Sequence, residues 1–164
     1  MTKNKKTLLN VLWLLFFIAL SGMATFLVAF SINHSFDPWY VQLAKPIWFP
    51  AKWILGPVWF QAIFYAMIGV AGWLLWTQKK SAQKNVAVTL FFSQLFLDVA
   101  WACSFFYFRK PVLGLIDILL FLVVIMLAIR AAWLVSKPAS CLLIPSFIWC
   151  LYALAMNAGI VYFL

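Results

Sequence analysis

Two carboxylates stand inside apolar runs of this sequence and are its strongest candidates for chemistry. Asp98 lies in SQLFLDVAWACSFF and Asp117 in GLIDILLF. An ionisable group among lipid-compatible residues is costly to keep, and it faces a bundle interior or a water-filled cavity. Two carboxylates held close together serve as general acid and base. These two fall on different segments with no nucleophile beside them, so spacing leaves their separation open. Gln94, Asp98, Trp101 and Phe105 follow at intervals of four, three and four, which places them on one face of a helix. That face is polar and aromatic rather than aliphatic. It suits a pocket wall, and it equally suits an interhelical hydrogen bond that only fixes packing.

A second stripe lies in LLIPSFIWCLYALAMNAGIVYFL, where Pro145, Trp149, Ala153 and Met156 share a face bordered by Asn157. A small alanine facing a tryptophan leaves room for a flat ligand, although stripes of this kind also form plain core. Cys103, Cys141 and Cys150 sit in apolar segments with no C-x-x-C spacing, and they read as small buried hydrophobes. His34 is the single histidine. A haem or zinc site would need partners that the sequence lacks, so no metal and no resident cofactor are expected.

The elements that must position these residues follow from composition. The 164 residues are 68% hydrophobic and 9% charged, far from the balance of a soluble domain. Five apolar runs, about 8–31, 53–76, 86–107, 112–135 and 140–163, are each long enough to cross a bilayer as a helix. The expectation is an all-α membrane protein, a bundle of five transmembrane helices in a single domain over 1–164. The first run exceeds the apolar core of a signal peptide and reads as a retained span. Net charge is +9, but the cations flank the apolar runs and so mark topology rather than nucleic-acid binding. Lys3, Lys5, Lys6, Lys79, Lys80, Lys84, Arg130 and Lys137 fall on one side, with Lys45, Lys52, Arg109 and Lys110 on the other. The positive-inside rule then puts the N-terminus in the cytoplasm and the C-terminus outside.

Short breaks, TQKKSAQK, FRKP and SKPAS, join the later runs, while the first connection is long. It contains WYVQLAKPIWFPAKW, residues 39–53, with three tryptophans and two prolines. Pro46 and Pro50 fix φ and bias the preceding residues away from helix, so the segment should be extended and stiff. Trp13, Trp73, Trp76 and Trp133 fit an aromatic belt at the interfaces. Trp39, Trp48, Trp53 and Trp59 cluster instead around this loop and the next helix start. Folded over the bundle, the loop would cap a cavity whose flat aromatic walls suit a large planar apolar ligand. Lying on headgroups, it would be an interfacial anchor.

The stretch WYVQLAKPIWFPAKWILGPVWFQAIFYAMIGVAGW is similar to the signature of the translocator protein family, the tryptophan-rich sensory proteins. Trp39, Tyr40, Leu43, Lys45, Pro46, Trp48, Pro50, Gly56, Pro57 and Trp59 match that pattern. QLFLDVAWACSFF and LLIPSFIWCLYALAMN resemble the family's later helices, so the likeness covers most of the chain. Ala51 stands in place of a second loop proline, Asp98 in place of an asparagine and Ser146 in place of a tyrosine. No cation follows Tyr162, so sterol recognition is not carried over.

The resemblance implies a five-helix bundle, often a homodimer, whose long first loop caps a pocket for porphyrins and for isoquinoline- or benzodiazepine-like ligands. It implies tetrapyrrole handling and stress sensing in a bacterial cell membrane. The matched ligand-binding positions are Tyr40, Trp48, Pro50, Trp59, Asp98, Trp101, Phe105, Asp117, Trp149 and Ala153. Tyr40 would donate a hydrogen bond, and Trp59 and Trp149 would stack on the ligand. If the protein degrades protoporphyrin IX with light and oxygen, Trp59 and Trp149 become its catalytic residues. A third reading is a membrane scaffold without small-molecule chemistry, weakly favoured by Ala155 and Gly159.

Overall fold

A computed structural model describes residues 3–34, 39, 42–45 and 58–164, leaving the side chains of Lys3, Ile32–His34 and Val58–Gln61 outside that description. Among the described residues five long helices follow one another. Helix α1 is Lys3–His34, α2 Val58–Trp76, α3 Ala82–Ala102, α4 Pro111–Val135 and α5 Lys137–Tyr162. Helix α3 runs on into a π-helical turn, Cys103–Tyr107. The expected spans fall on these helices, with 53–57 outside the described residues.

Local chemistry sets the helix ends. Ser81 is extended and accepts the Lys84 amide at 3.1 Å, which caps α3. The Lys84 ammonium turns back onto the carbonyl of Trp76 and, at 2.9 Å, that of Gln78. It thereby satisfies acceptors at the end of α2. Arg109 takes the left-handed backbone, φ 56°, and turns the chain between the π-turn and α4. Pro111 and Pro138 occupy the first turns of α4 and α5, where the missing N–H costs nothing.

The helices alternate in direction. The Trp73 indole donates to the Asn10 carbonyl at 3.1 Å, joining the end of α2 to the start of α1. The Ser140 hydroxyl donates to the Ile129 carbonyl at 2.9 Å, joining the start of α5 to the end of α4. Lys5, Lys6, Lys79, Lys80, Lys84 and Lys137 therefore collect at one end of the bundle, and Arg109 and Lys110 at the other. Trp13 and Trp76, with ring centroids 5.0 Å apart, pack at the lysine-rich end. Contacts run α1 to α2, α2 to α5, α5 to α4, α4 to α3 and α3 back to α1. The five helices thus close into a ring, with α2 and α3 meeting across its interior.

Close approach of α1 and α2 depends on small residues. A Cβ at Gly69 would lie 2.8 Å from the Ile18 Cα and 2.9 Å from the Phe17 carbonyl oxygen. Only glycine lets the backbones pass there.

The surface is apolar, and several polar side chains lie inside among the apolar core. Phe96 and Leu134 are each 72% exposed and Phe26 67%, whereas Ser21 and Ser140 are fully buried, Gln94 is 2% exposed and Asn157 1%. Outward apolar side chains need an apolar solvent. The stretches Asn4–Ser31, Ala82–Tyr107, Pro111–Val135 and Lys137–Tyr162 are long and apolar enough to cross a bilayer, and Ala62–Trp76 is a shorter apolar stretch. The chain is an integral membrane protein.

Candidate functional site

Helix α3 turns a stripe formed by Phe91, Gln94, Leu95, Ala102 and Phe105 toward the ring's interior, and all five are buried. Asp98 lies on that stripe yet keeps some accessible surface. Its Oδ2 accepts a hydrogen bond from the Tyr65 hydroxyl of α2 at 2.5 Å, in the short range of charge-assisted bonds. Because α2 and α3 face each other across the ring, this bond crosses the bundle interior. Sequence reasoning identified Asp98 but missed Tyr65. The available signal was a hydroxyl in the otherwise apolar run IFYAMIGVAGW, a ready partner for an intramembrane carboxylate.

One turn along α3, Trp101 packs against a buried cluster made of Cys150, Ala153 and Met156 of α5 and Ile118 of α4. Its ring stacks on Phe105 at 6.0 Å and 28° and meets Phe106 edge-on at 5.7 Å. Phe105 also meets the Trp39 ring at 6.3 Å. This contact brings one tryptophan of the first connection to the α3 end of the bundle. On α5, Trp149 packs against Phe64 of α2 at 6.3 Å and Tyr152 at 5.8 Å. Asp98, Trp101, Trp149 and Ala153 thus gather around the junction of α2, α3 and α5.

Asp117 has a different neighbourhood. The Ser104 hydroxyl donates to its Oδ2 at 2.5 Å. Each carboxylate therefore has its own hydroxyl donor, on different helices, and no hydrogen bond joins the two. Ser104 stands six residues before Lys110 and Asp117 seven after, so folding α3 against α4 about that break brings them level. The pairing was within reach of the sequence once α3 and α4 were read as antiparallel neighbours. Close by, a Cβ at Gly114 would lie 3.0 Å from Phe105 Cβ and 3.1 Å from Asn157 Nδ2. Phe105, Gly114 and Asn157 therefore meet where α3, α4 and α5 converge.

Several buried polar atoms in this interior have no hydrogen-bond partner among the described residues. They are both carboxamide atoms of Gln94, both of Asn157, the Trp101 indole nitrogen and the Ser146 hydroxyl. A buried group left unsatisfied costs about 1–3 kcal/mol. Two open depressions, of about 370 and 220 Å³, lie elsewhere, one around Lys110–Leu113 and Ile116, the other at Ala82, Gln83, Val86, Ala131 and Leu134. None of the expected site residues lines either. Of those residues, Tyr40, Trp48 and Pro50 lie outside the described residues, as does the Trp59 side chain, although its backbone forms the first turn of α2.

Comparison with known proteins agrees with this architecture. The TspO/MBR family model matches residues 15–163. The Tryptophan-rich protein TspO of Chlorobaculum tepidum is 42% identical over 120 residues, 73% of this chain and 75% of that protein. The Tryptophan-rich protein TspO of Archaeoglobus fulgidus is 34% identical over 132 residues, covering 80% and 84%. The human Translocator protein is 33% identical over 121 residues, covering 73% and 70%. With a match that spans nearly all five helices and relatives aligned over most of their own lengths, the chain belongs to the TspO/MBR family.

Proposed function

We propose that the protein is a membrane receptor that binds porphyrins, protoporphyrin IX among them, and other planar apolar ligands at the α2/α3/α5 junction, and that it acts as a sensor or translocator for them. The carrying observation is the set of polar atoms on Gln94, Trp101, Ser146 and Asn157 that have no partner among the described residues, next to aromatic rings inside a lipid-embedded bundle. Such atoms are costly unless something polar meets them. A tetrapyrrole offers that combination, with a flat apolar face for Trp101, Phe105 and Trp149 and polar groups in its plane. The names of the relatives, Translocator protein and Tryptophan-rich protein, agree with a carrier or sensor built on aromatic side chains.

In this reading the first connection lies over the junction as a cap, with Tyr40 donating a hydrogen bond and Trp48 and Pro50 closing the site. Trp59 and Trp149 stack on the ligand. The lysine-rich end faces the cytoplasm, as the positive-inside rule requires, and two copies pair as a homodimer.

The test is a titration of protoporphyrin IX into the purified protein in an uncharged detergent, in the dark and then under light. Tryptophan quenching that saturates supports the reading, and strictly linear quenching refutes it. Light-dependent loss of porphyrin absorbance above a protein-free control, reduced in Trp149→Phe, would move the assignment from sensor to photochemical degradation.

A further inference from the structure

We propose that the α2/α3/α5 junction is also a binding site for lipophilic cations, with Asp98 as the counter-charge and the surrounding rings as walls. Asp98 lies on the buried stripe of α3, facing across the ring toward α2, and it still keeps accessible surface. Its carboxylate stands between α2 and α3, where a ligand entering the interior would meet it. Tyr65 occupies Oδ2. Among the described residues nothing donates to Oδ1, and no Lys, Arg or His pairs with the carboxylate.

A carboxylate inside a bilayer without a counter-ion is expensive. A cation brought by a ligand removes that cost, and the attraction is strong where water is scarce. The neighbouring chemistry favours a cation with an apolar shell. Trp101 lies one turn beyond Asp98, and Phe64, next to Tyr65, packs on Trp149. Aromatic faces attract positive charge, tryptophan most of all. Gln94, 2% exposed and with both carboxamide atoms unpartnered among the described residues, lies one turn before Asp98 on the same face. Its oxygen is a further acceptor for a protonated amine. The site thus joins one carboxylate, one acceptor without a partner among the described residues and neighbouring π-faces, the chemistry that recognises protonated or quaternary amines and similar bulky cations.

This inference rests on the junction as a binding site and not on porphyrin as its occupant. The probes are tetraphenylphosphonium and tetraphenylborate, nearly equal in size and opposite in charge, each measured by equilibrium dialysis against the full chain in an uncharged detergent. The expected result is saturable binding of tetraphenylphosphonium at least tenfold tighter than of tetraphenylborate. In Asp98→Asn that preference falls at least tenfold, while Tyr65→Phe, which keeps the carboxylate, still prefers the cation. Equal binding of the two ions by the wild type overturns the proposal, as does a preference that survives Asp98→Asn. The wild-type comparison decides whether or not the variants fold. Cation binding without saturable porphyrin quenching would refute only the porphyrin reading, and the converse would refute only this one.

Discussion

Tyr65→Phe removes a single oxygen from the bundle interior, and its cost reports directly on the Tyr65–Asp98 bond. A hydrogen bond to a charged group is worth about 1.5–3 kcal/mol in mutational series. In membranes the gain is smaller, about 0.6 kcal/mol on average and about 1.7 at most, because the unfolded segments also find partners in lipid. The 2.5 Å separation places this bond at the strong end, so Tyr65→Phe should cost about 1.5 kcal/mol. In the Asp98→Asn background the same hydroxyl meets only a neutral amide oxygen, and Tyr65→Phe should cost about 0.6 kcal/mol. The double-mutant cycle then yields a coupling of about 1 kcal/mol. Asp98→Asn alone should leave stability unchanged or raise it, because a buried charge is removed while the acceptor remains. The assay is reversible unfolding of the four proteins in mixed micelles, followed by tryptophan fluorescence. Additive costs, with coupling below about 0.3 kcal/mol, would mean that the two side chains do not meet across the ring.

Three further outcomes follow from the packing. Gly69→Ala should lower stability by about 1–3 kcal/mol, since its methyl would press on the α1 backbone at Ile18 and Phe17; an unchanged midpoint would refute the close crossing. Ser104→Ala leaves Asp117 without its donor and should cost about 1–2 kcal/mol, measured by the same unfolding assay. Asn157→Leu replaces two buried polar atoms that have no partner among the described residues with an apolar group of similar size. It should stabilise the ligand-free protein by about 1 kcal/mol while weakening porphyrin binding, and a loss of both would show the amide to be bonded within the protein.

Much of the fold was legible because lipid imposes its rules on the sequence. Five apolar runs separated by TQKKSAQK, FRKP and SKPAS left little choice but five helices, and period counting put Gln94, Asp98 and Phe105 on one face. The π-turn at Cys103–Tyr107 was not legible, because CSFFY carries no residue that forces a wider backbone turn. The partners of the carboxylates were missed for a related reason. Periodicity assigns a face to a residue, but it does not say which helix that face meets. That depends on the ring order, in which α2 lies between α1 and α5 rather than beside α3. Asn157 was placed at the border of its stripe, yet it is among the most buried residues. Gly114 on α4 lies close beside it, a neighbour invisible to any single-helix count. The tryptophan loop carried the clearest motif, and Trp39 against Phe105 and Leu43 against the cluster of Val28, Ala102 and Phe106 are described contacts it makes with the bundle.

The central claim is that a planar ligand sits in the bundle interior beside Trp101. Ala153 is the residue to change, since it is buried in the cluster with Ile118, Cys150 and Met156 against which Trp101 packs, and it contributes no polar atom of its own. Protoporphyrin IX should be titrated into wild type and Ala153→Leu, each verified by elution as a folded species, with tryptophan fluorescence as the readout. The account predicts saturable quenching by the wild type and at least tenfold weaker binding by the variant, whose added side chain fills the space. Equal saturable binding by both proteins would place the porphyrin elsewhere and contradict the account.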